Sequence, residues 1–314
     1  MMKNSKRKIR AARISLATAI ALTGLKLVTA MITGSLAVLS SAVDSLLDIF
    51  MSSANYFGIR QAEMPPDSKH PFGHGKFETL ATIFQSLMIT LSGSWILYES
   101  VRRLIHGSTL SRLEEGMAVL LLSTVVSWKI ARYLKTTGLE TDSSALQADS
   151  LHFAMDVYTN GALVVGLGLV LWLEIAWLDP VLSLLVGGYV LFEAFRLIRH
   201  GLSDFLDEQL PESVRLEIAD IIERHEAHIV GYHQLRTRRA GSQKIVNFHL
   251  TVCKHLSVEK AHAIADHLEL RLREIIPNCD VTIHLDPCAR PDCDDPQICV
   301  RVADPSKKGA QSTD

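Results

Sequence analysis

Long apolar stretches alternate with short polar connections over the first two-thirds of the chain, and charged residues concentrate in the last third. A helix needs about 20 mostly apolar residues to cross the hydrocarbon core of a bilayer. Six segments approach that length, the fourth being the shortest, with approximate bounds Ile14–Ile32, Ser35–Gly58, Leu80–Leu97, Met117–Ile130, Phe153–Leu173 and Pro180–Leu197. So many segments joined by short loops favour six membrane-spanning helices over the buried helices of a soluble protein.

The distribution of basic residues predicts how these helices are oriented. Before the first segment stand Lys3, Lys6, Arg7, Lys8, Arg10 and Arg13, whereas the loops on the opposite side hold only Arg102, Arg103 and Arg112. Cytoplasmic loops carry the excess of Lys and Arg. We therefore expect a multi-pass protein of the cell inner membrane with both termini in the cytoplasm.

The last third has the pattern of a small soluble domain. Its amphipathic and alternating segments predict, in chain order, helix, strand, strand, helix and strand: Glu212–His225, Val230–Arg238, Lys244–Val252, Val258–Ile275 and Val281–Asp286. The order αββαβ is typical of an α+β domain of the ferredoxin-like kind, with helices on one face of a sheet. We predict a six-span transmembrane domain over 1–205, a cytoplasmic metal-binding domain over 206–290 and a polar, cysteine-containing tail over 291–314.

Two pairs of ionisable residues lie inside predicted spans. Asp44 and Asp48 are four residues apart in the second span, and His152 and Asp156 are four apart in the fifth. This spacing puts both members of a pair on one helix face. Ionisable groups at membrane depth are costly and point to function, although a single one can be a satisfied structural group between helices. Three carboxylates and one imidazole form a tetrahedral set suited to zinc.

Two further groups of metal-binding residue types lie outside the spans. The loop after the second span holds Asp67, His70 and His74, whose spacing fits a zinc site about as well as a solvated turn. The soluble domain holds a larger set, which as single residues would be plain surface histidines: His233, His249, His262, His284 and Asp286. His284 and Asp286 share a strand face at i,i+2.

The sequence resembles the cation diffusion facilitator family, in its zinc and ferrous-iron efflux branch. The matching motifs cover nearly the whole chain to about residue 287: Gly34–Leu36, Asp44 to Asp48, His70–Glu78, His152 to Asp156, His233–Arg238, Phe248–Leu250, Ala261-His262 and Ile283–Pro287. The resemblance implies a homodimer of six-span protomers that exports divalent metal ions in exchange for protons.

The resemblance also assigns roles to residues. It maps the transport site onto Asp44, Asp48, His152 and Asp156, supports the loop site, and implies a binuclear regulatory site at the dimer contact in the cytoplasmic domain. It further implies a charge interlock between Lys76 and Asp207 at the hinge between the two halves. Leu285 departs from the family pattern, in which a polar residue can stand between His284 and Asp286, so the second metal's ligands are open.

Composition excludes several other functions. A net charge of -2 gives no basic excess for nucleic acid, and no phosphate-binding glycine loop for ATP is present. An enzyme, such as an intramembrane zinc hydrolase, needs an open metal position, which four protein ligands do not leave. A membrane-anchored metal sensor or storage module is the main alternative to a transporter. We expect Zn²⁺ as substrate and regulator, while Cd²⁺, Fe²⁺, Co²⁺ and Mn²⁺ also accept these ligands.

The five cysteines all lie at or after Cys253, and an odd number in a cytosolic domain argues against a disulfide framework. Three of them, Cys288, Cys293 and Cys299, lie beyond the motifs that match the family, and the last two are in the tail. Three thiols so spaced either capture a soft metal ion or form a plain reduced tail, and their spacing matches no zinc ribbon.

Overall fold

The structure is a computed structural model that describes residues 2–33, 36–106, 117–173, 177–225, 229–289 and Cys293. Within its helices it does not describe the side chains of 2–3, 33–44, 117–120, 163–173 and 178–179. The contacts between residues divide the chain into two units. One comprises Met1–Leu206 with Ala240–Ser242, and the other Asp207–Arg239 with Gln243–Asp314.

In the first unit, the described residues of every predicted span are helical. The described part of the chain contains α1 (Met2–Thr33), α2 (Leu36–Ala62), α3 (Lys76–His106), α4 (Met117–Thr141), α5 (Ser144–Leu173) and α6 (Leu178–Phe205). Each helix extends beyond its apolar stretch, most of all α1 and α3, because polar residues continue the helix past the hydrophobic part. Among the residues that the structure describes, three stretches are long and apolar enough to cross a membrane, namely Asn4–Ile32, Lys76–His106 and Pro180–Phe205. The count of six spans remains a prediction.

Small residues allow the helices of this unit to pack closely. A Cβ atom on Gly187 of α6 would lie 2.9 Å from the Cδ2 atom of Leu97 on α3, which is closer than real Cβ contacts. Close approach at glycine is the usual means of helix association where lipid removes the hydrophobic driving force. The outward faces carry large apolar side chains such as Leu91 and Phe192, which are 65% and 61% exposed, as suits helices surrounded by lipid.

The second unit contains α7 (Glu212–Arg224), β1 (Ile229–Ala240), β2 (Gln243–Val252), α8 (Val258–Ile275) and β3 (Cys279–Pro287). The predicted order αββαβ is therefore confirmed, with bounds that differ by one to two residues at most ends. Ser257 caps α8 by accepting a hydrogen bond from the backbone N–H of Lys260 at 3.3 Å. The hydrophobic core of the second unit contains Ile218 and Ile222 of α7 and Leu268 and Leu272 of α8, which pack together against the sheet.

The strands lie in the order β1-β2-β3, and β2 and β3 run parallel. Phe248 and Leu250 of β2 face the helices in the buried core. Because side chains alternate along a strand, His249 points to the opposite face. The register pairs His249 with His284. This places His249 and His284 side by side on the sheet face that points away from the helices. We call this surface the histidine face.

Strand β1 departs from regular alternation at Gln234, whose φ of 52° is in the left-handed region. Tyr232 and Leu235 both pack against the core, so two residues instead of one, His233 and Gln234, stand between inward side chains. An extra residue of this kind is a β-bulge, which redirects a side chain locally. Here the bulge accompanies the turn of His233 toward the histidine face.

Candidate metal centres

Three of the four predicted transport residues meet between α2 and α5. One ligand atom each from Asp48, His152 and Asp156 lies within 4.8 Å of the others. The Nε2 atom of His152 is 3.2 Å from Oδ1 of Asp48. His152 is 1% exposed, so this imidazole has been removed from solvent. The side chain of Asp44 lies outside the described residues, and its part in the cluster stays a prediction.

The cluster opens onto a cavity of about 610 Å³ lined by Asp48, His152 and Asp156 among others. Lys26 of α1 lines the same cavity and donates a hydrogen bond from Nζ to Oγ of Ser45 at 2.7 Å. From its spacing alone Lys26 is interpreted as a structural or interfacial residue. The structure places its positive charge on the cavity that Asp48 and Asp156 also line.

The donor atoms suit a divalent ion of the zinc type. Two carboxylates and one imidazole are ordinary zinc ligands, and a buried charged cluster needs a cation or protons to neutralise it. The Nδ1 atom of His152 has no hydrogen-bond partner among the residues that the structure describes. The imidazole is thus not committed to a structural hydrogen bond that would exclude metal ligation.

A buried hydrogen bond lies one turn before the cluster on α5. Asp149, fully buried, accepts a hydrogen bond at Oδ1 from Nε2 of Gln85 at 2.9 Å. The sequence pattern predicts only a structural role for Gln85, and Asp149 is absent from the predicted site residues. A signal for Asp149 is nevertheless present in the sequence, since it is a carboxylate only three residues before His152 and so falls near the same helix face.

The loop between α2 and α3 brings Asp67, His70 and His74 together as predicted. Oδ1 of Asp67 is 3.1 Å from Nδ1 of His70, and its Oδ2 is 3.2 Å from Nε2 of His74. The carboxylate also accepts the backbone N–H groups of His70 and Lys69 at 2.6 and 2.8 Å. These hydrogen bonds hold the pKa of Asp67 below its usual range, and the bond from the His70 backbone has the largest effect. The carboxylate is therefore ionised and ready for a cation.

The cytoplasmic unit assembles its site on the histidine face of the sheet. Oδ2 of Asp286 is 2.9 Å from Nδ1 of His249 and 3.3 Å from Nε2 of His233, and Oδ1 is 3.3 Å from Nε2 of His284. The hydrogen bond with His249 is the main cause that lowers the pKa of Asp286. Ligand atoms of His233, His249 and Asp286 all lie within 4.8 Å, which is a metal-sized group.

Other predicted residues stand apart from these clusters. His262 on α8 is exposed, and its Nε2 is 3.5 Å from Oδ2 of Asp266, one turn further along the helix. Lys76 donates to the carbonyl of Phe205 at 3.4 Å, and Asp207 is 3.3 Å from Nη1 of Arg238. A role of His262 in metal binding and an interlock of Lys76 with Asp207 both stay predictions.

The structure also changes the grouping of the cysteines. Cys288 and Cys293 of the predicted tail set lie with Cys253, a residue that the spacing of the tail does not include. Cys299 lies outside the described residues. The spacing of the cysteines in the sequence does not indicate this grouping. It arises because Cys253 and Cys288 follow the ends of two neighbouring parallel strands.

Comparison with known families follows the division into a membrane part and a soluble part. Residues 12–206 match the cation efflux transmembrane domain. Residues 210–288 match the cytoplasmic domain of cation efflux proteins. The two matches together cover nearly all of the chain up to the cysteine tail.

Individual relatives agree with this assignment. The cation-efflux pump FieF of Salmonella newport (strain SL254) is 34% identical over 280 residues, which are 89% of this chain and 93% of the relative. FieF of Pectobacterium carotovorum subsp. carotovorum (strain PC1) is 37% identical over 255 residues, 81% of this chain and 84% of the relative. A solved structure of the zinc form of CzrB is 38% identical, covers 26% of this chain and 92% of its own, and has a TM-score of 0.25.

Proposed function

Because the chain belongs to the cation diffusion facilitator family of cation efflux transporters, we propose that it exports Zn²⁺ in exchange for protons. Efflux of divalent metal cations across the membrane is the activity of this family, and the homologues are transporters, not enzymes. The cytoplasmic domain is the family's dimerisation domain, so the transporter is a homodimer. Cd²⁺ and Fe²⁺ are further cargo in this proposal because they accept the same ligands.

The observation that carries the proposal is the meeting of Asp48, His152 and Asp156 between α2 and α5. These residues come from two helices, so a movement of α2 against α5 changes the ligand set. A transport site has to release its ion as well as bind it. A site divided between two helices, with Lys26 nearby, meets both requirements better than a rigid site on one element.

Exchange for protons follows from the chemistry of the donor atoms. Metal ligation requires deprotonated carboxylates and a neutral imidazole, so protons and metal ions compete for the same atoms. When the site faces a more acidic compartment, protons occupy these atoms and release the metal. The proton-bearing site then returns to the cytoplasmic side, where the higher pH favours renewed metal binding.

The cytoplasmic cluster serves regulation in this proposal. His233, His249 and Asp286 belong to the unit that follows α6, so metal bound there does not lie on a route through the membrane helices. A ligand that binds one arrangement of the dimer more tightly shifts the population toward it. Zn²⁺ bound to these residues would thereby report a rise in cytoplasmic metal to the transporter.

Metal flux into proteoliposomes tests the transport site. Wild-type protein is expected to move Zn²⁺ only when a pH gradient is imposed, and Asp156→Ala is expected to reduce the flux to that of empty vesicles. Glu193→Gln is the matched control, because it removes a carboxylate of membrane helix α6 that pairs with Arg196 at 3.0 Å, outside the cluster. Wild-type flux in Asp156→Ala would refute the assignment.

The same assay separates transport from sensing. A membrane-anchored sensor would bind Zn²⁺ without moving it across the bilayer, whatever the pH gradient. Binding by wild-type protein with no flux in either direction would therefore favour the sensor. Flux that is independent of the gradient would keep the exporter but remove proton exchange.

A further inference from the structure

Three buried cysteines of the cytoplasmic unit form a cluster that the transport function does not use. Cys253, Cys288 and Cys293 are 2%, 4% and 3% exposed, and they pack beside Val230 and Leu256. Their sulfur atoms all lie within 4.8 Å of one another. Within the cluster, the Sγ atoms of Cys253 and Cys293 are 3.5 Å apart.

The fold itself brings these thiols together. Val252 and Pro287 are register partners at the ends of the parallel strands β2 and β3, so the next residues, Cys253 and Cys288, leave the sheet at the same edge. The backbone N–H of Cys288 donates to the carbonyl of Val252 at 2.8 Å, which continues the pairing. The position of both thiols is therefore set by the sheet.

Cys293 is brought to this edge by a contact of its backbone. The ring Nε2 of His255 is 2.6 Å from the carbonyl oxygen of Cys293. His255 lies in the turn that follows β2, two residues after Cys253, and this turn is closed by a bond from Leu256 N–H to the carbonyl of Cys253 at 3.1 Å. One turn thus supplies the thiol of Cys253 and, through His255, contacts the backbone of Cys293.

We propose that Cys253, Cys288 and Cys293 form a binding site for a thiophilic cation of the Zn²⁺, Cd²⁺ or Cu⁺ class. Sulfur ligands bound to one zinc ion at about 2.3 Å stand roughly 3.7–4.0 Å apart in tetrahedral or trigonal geometry. The 3.5 Å pair and the 4.8 Å limit enclose this range, so small side-chain rotations close the site. Thiolates prefer softer ions than the imidazole and carboxylate sites of this chain do.

Metal binding explains the convergence of the three thiols better than the two alternatives, which are burial as apolar side chains and a disulfide between two of them. Free cysteines are commonly buried as small apolar residues, but that does not require three sulfur atoms to converge from three segments. A disulfide would use two of the thiols and leave the third, and it is rare in reducing compartments. Metal binding uses all three, and it would hold Cys293 beside the thiols at the edge of the sheet.

Cadmium titration of the full chain tests the site directly. The protein is purified in detergent, reduced and freed of metal, and the thiolate-to-cadmium charge-transfer absorption is followed as Cd²⁺ is added. Imidazole and carboxylate sites bind Cd²⁺ without this absorption. We expect the absorption to saturate at one ion per chain and to be lost in Cys253→Ser, Cys288→Ser and Cys293→Ser.

Two variants decide which thiols take part. Cys279→Ser is the matched control, because Cys279 is also buried in this unit but begins β3, at the opposite end of the strand from Cys288. It is expected to keep the full absorption. Cys299→Ser is expected to keep the absorption too. Loss of absorption in Cys299→Ser with retention in Cys253→Ser would overturn the proposed set of three ligands.

His255→Ala tests the contact between the His255 ring and the Cys293 carbonyl. It should weaken Cd²⁺ binding on the order of tenfold, as the loss of a group that positions a metal ligand does.

Alkylation of the wild-type protein keeps the test open if a serine variant does not fold. Mass spectrometry of each cysteine after iodoacetamide treatment should show Cys253, Cys288 and Cys293 modified at least tenfold more slowly with Cd²⁺ than without. The modification of Cys279 should not depend on Cd²⁺. Equal rates at the three clustered cysteines with and without Cd²⁺, or a Cys253–Cys293 disulfide that persists after treatment with reductant, would refute the site.

Discussion

Gln85 donates a hydrogen bond from its side-chain nitrogen to Oδ1 of Asp149 at 2.9 Å, and both side chains are almost completely buried. The bond joins α3 to α5 one turn before His152. A polar pair between helices is a common means of fixing their relative position in a membrane. The bond therefore helps to fix the part of α5 that carries His152 relative to α3.

Removal of either partner should cost stability, and the two losses should not add. For side-chain hydrogen bonds between membrane helices the coupling is about 0.6–1.7 kcal/mol. A double-mutant cycle of Gln85→Ala and Asp149→Ala, measured by unfolding in mixed detergent, should give a coupling in that range. Gln85→Ala combined with Glu193→Ala is the control and should be additive. A coupling of zero for Gln85 and Asp149 would mean that the bond does not stabilise the fold.

This pair also shows what the sequence could and could not predict. The spacing of four between His152 and Asp156 is local, so a helical pattern is enough to put both on one face. Gln85 and its partner Asp149 are 64 residues apart in the sequence, and hydrophobic periodicity does not predict a contact between such distant residues. For that reason the sequence predicts that His152 and Asp156 act together but only a general structural role for Gln85.

The cytoplasmic unit shows the same limit. The order αββαβ and the shared face of His284 and Asp286 follow from alternation along single strands. The meeting of Cys253 with Cys288 depends instead on β2 and β3 being parallel neighbours in one register. Pairing between strands of this kind involves residues distant in sequence, and the pattern of one chain does not fix it.

Replacement of His152 by aspartate should change which metal the transporter prefers. The variant exchanges the only nitrogen ligand of the cluster for oxygen, and oxygen ligands suit harder ions such as Mn²⁺. We expect the ratio of Zn²⁺ to Mn²⁺ flux in proteoliposomes to fall on the order of tenfold, about 1.4 kcal/mol in relative free energy. His106→Asp, at the exposed end of α3, is the control. An unchanged ratio in His152→Asp would contradict the ligand role.

Neutralising Lys26 should tighten metal binding at the transport site. Its side chain lines the cavity with Asp48 and Asp156, and its charge opposes a divalent cation there. Lys26→Met should therefore lower the Zn²⁺ concentration for half-maximal flux several-fold and slow release. The measurement is the concentration dependence of flux, with Lys69→Met in the exposed loop as the matched control. A higher half-maximal concentration in Lys26→Met would show that the lysine supports the site instead.

Cys279 should make the stability of the cytoplasmic unit sensitive to high pH. Burial is the main cause that raises the pKa of this thiol from 9.0 to about 11. In the unfolded chain the thiol loses its proton near pH 9, while in the folded chain it keeps it. The stabilising contribution is therefore complete below about pH 9 and declines as the pH rises from 9 toward 11. Thermal unfolding of wild type should show a steeper decline over this range than Cys279→Ala, and parallel curves would exclude the effect.

Zinc bound to the cytoplasmic unit should make its dimer more compact. The unit has its own hydrophobic core, so a fragment of residues 208–290 is a suitable sample. On the histidine face His249 is 2.9 Å from Asp286, and the carboxylate is held ionised by that contact. Ions that bind only the closed dimer stabilise it by mass action.

Small-angle scattering of this fragment with and without Zn²⁺ measures the response. Wild type should show a smaller radius of gyration on addition of Zn²⁺, and His249→Ala should lose that change because it removes a ligand from the centre of the cluster. His267→Ala replaces an exposed histidine of α8 that lies outside the cluster, and it should respond as wild type does. Identical wild-type profiles in both conditions would leave His233, His249 and His284 as surface histidines without a regulatory role.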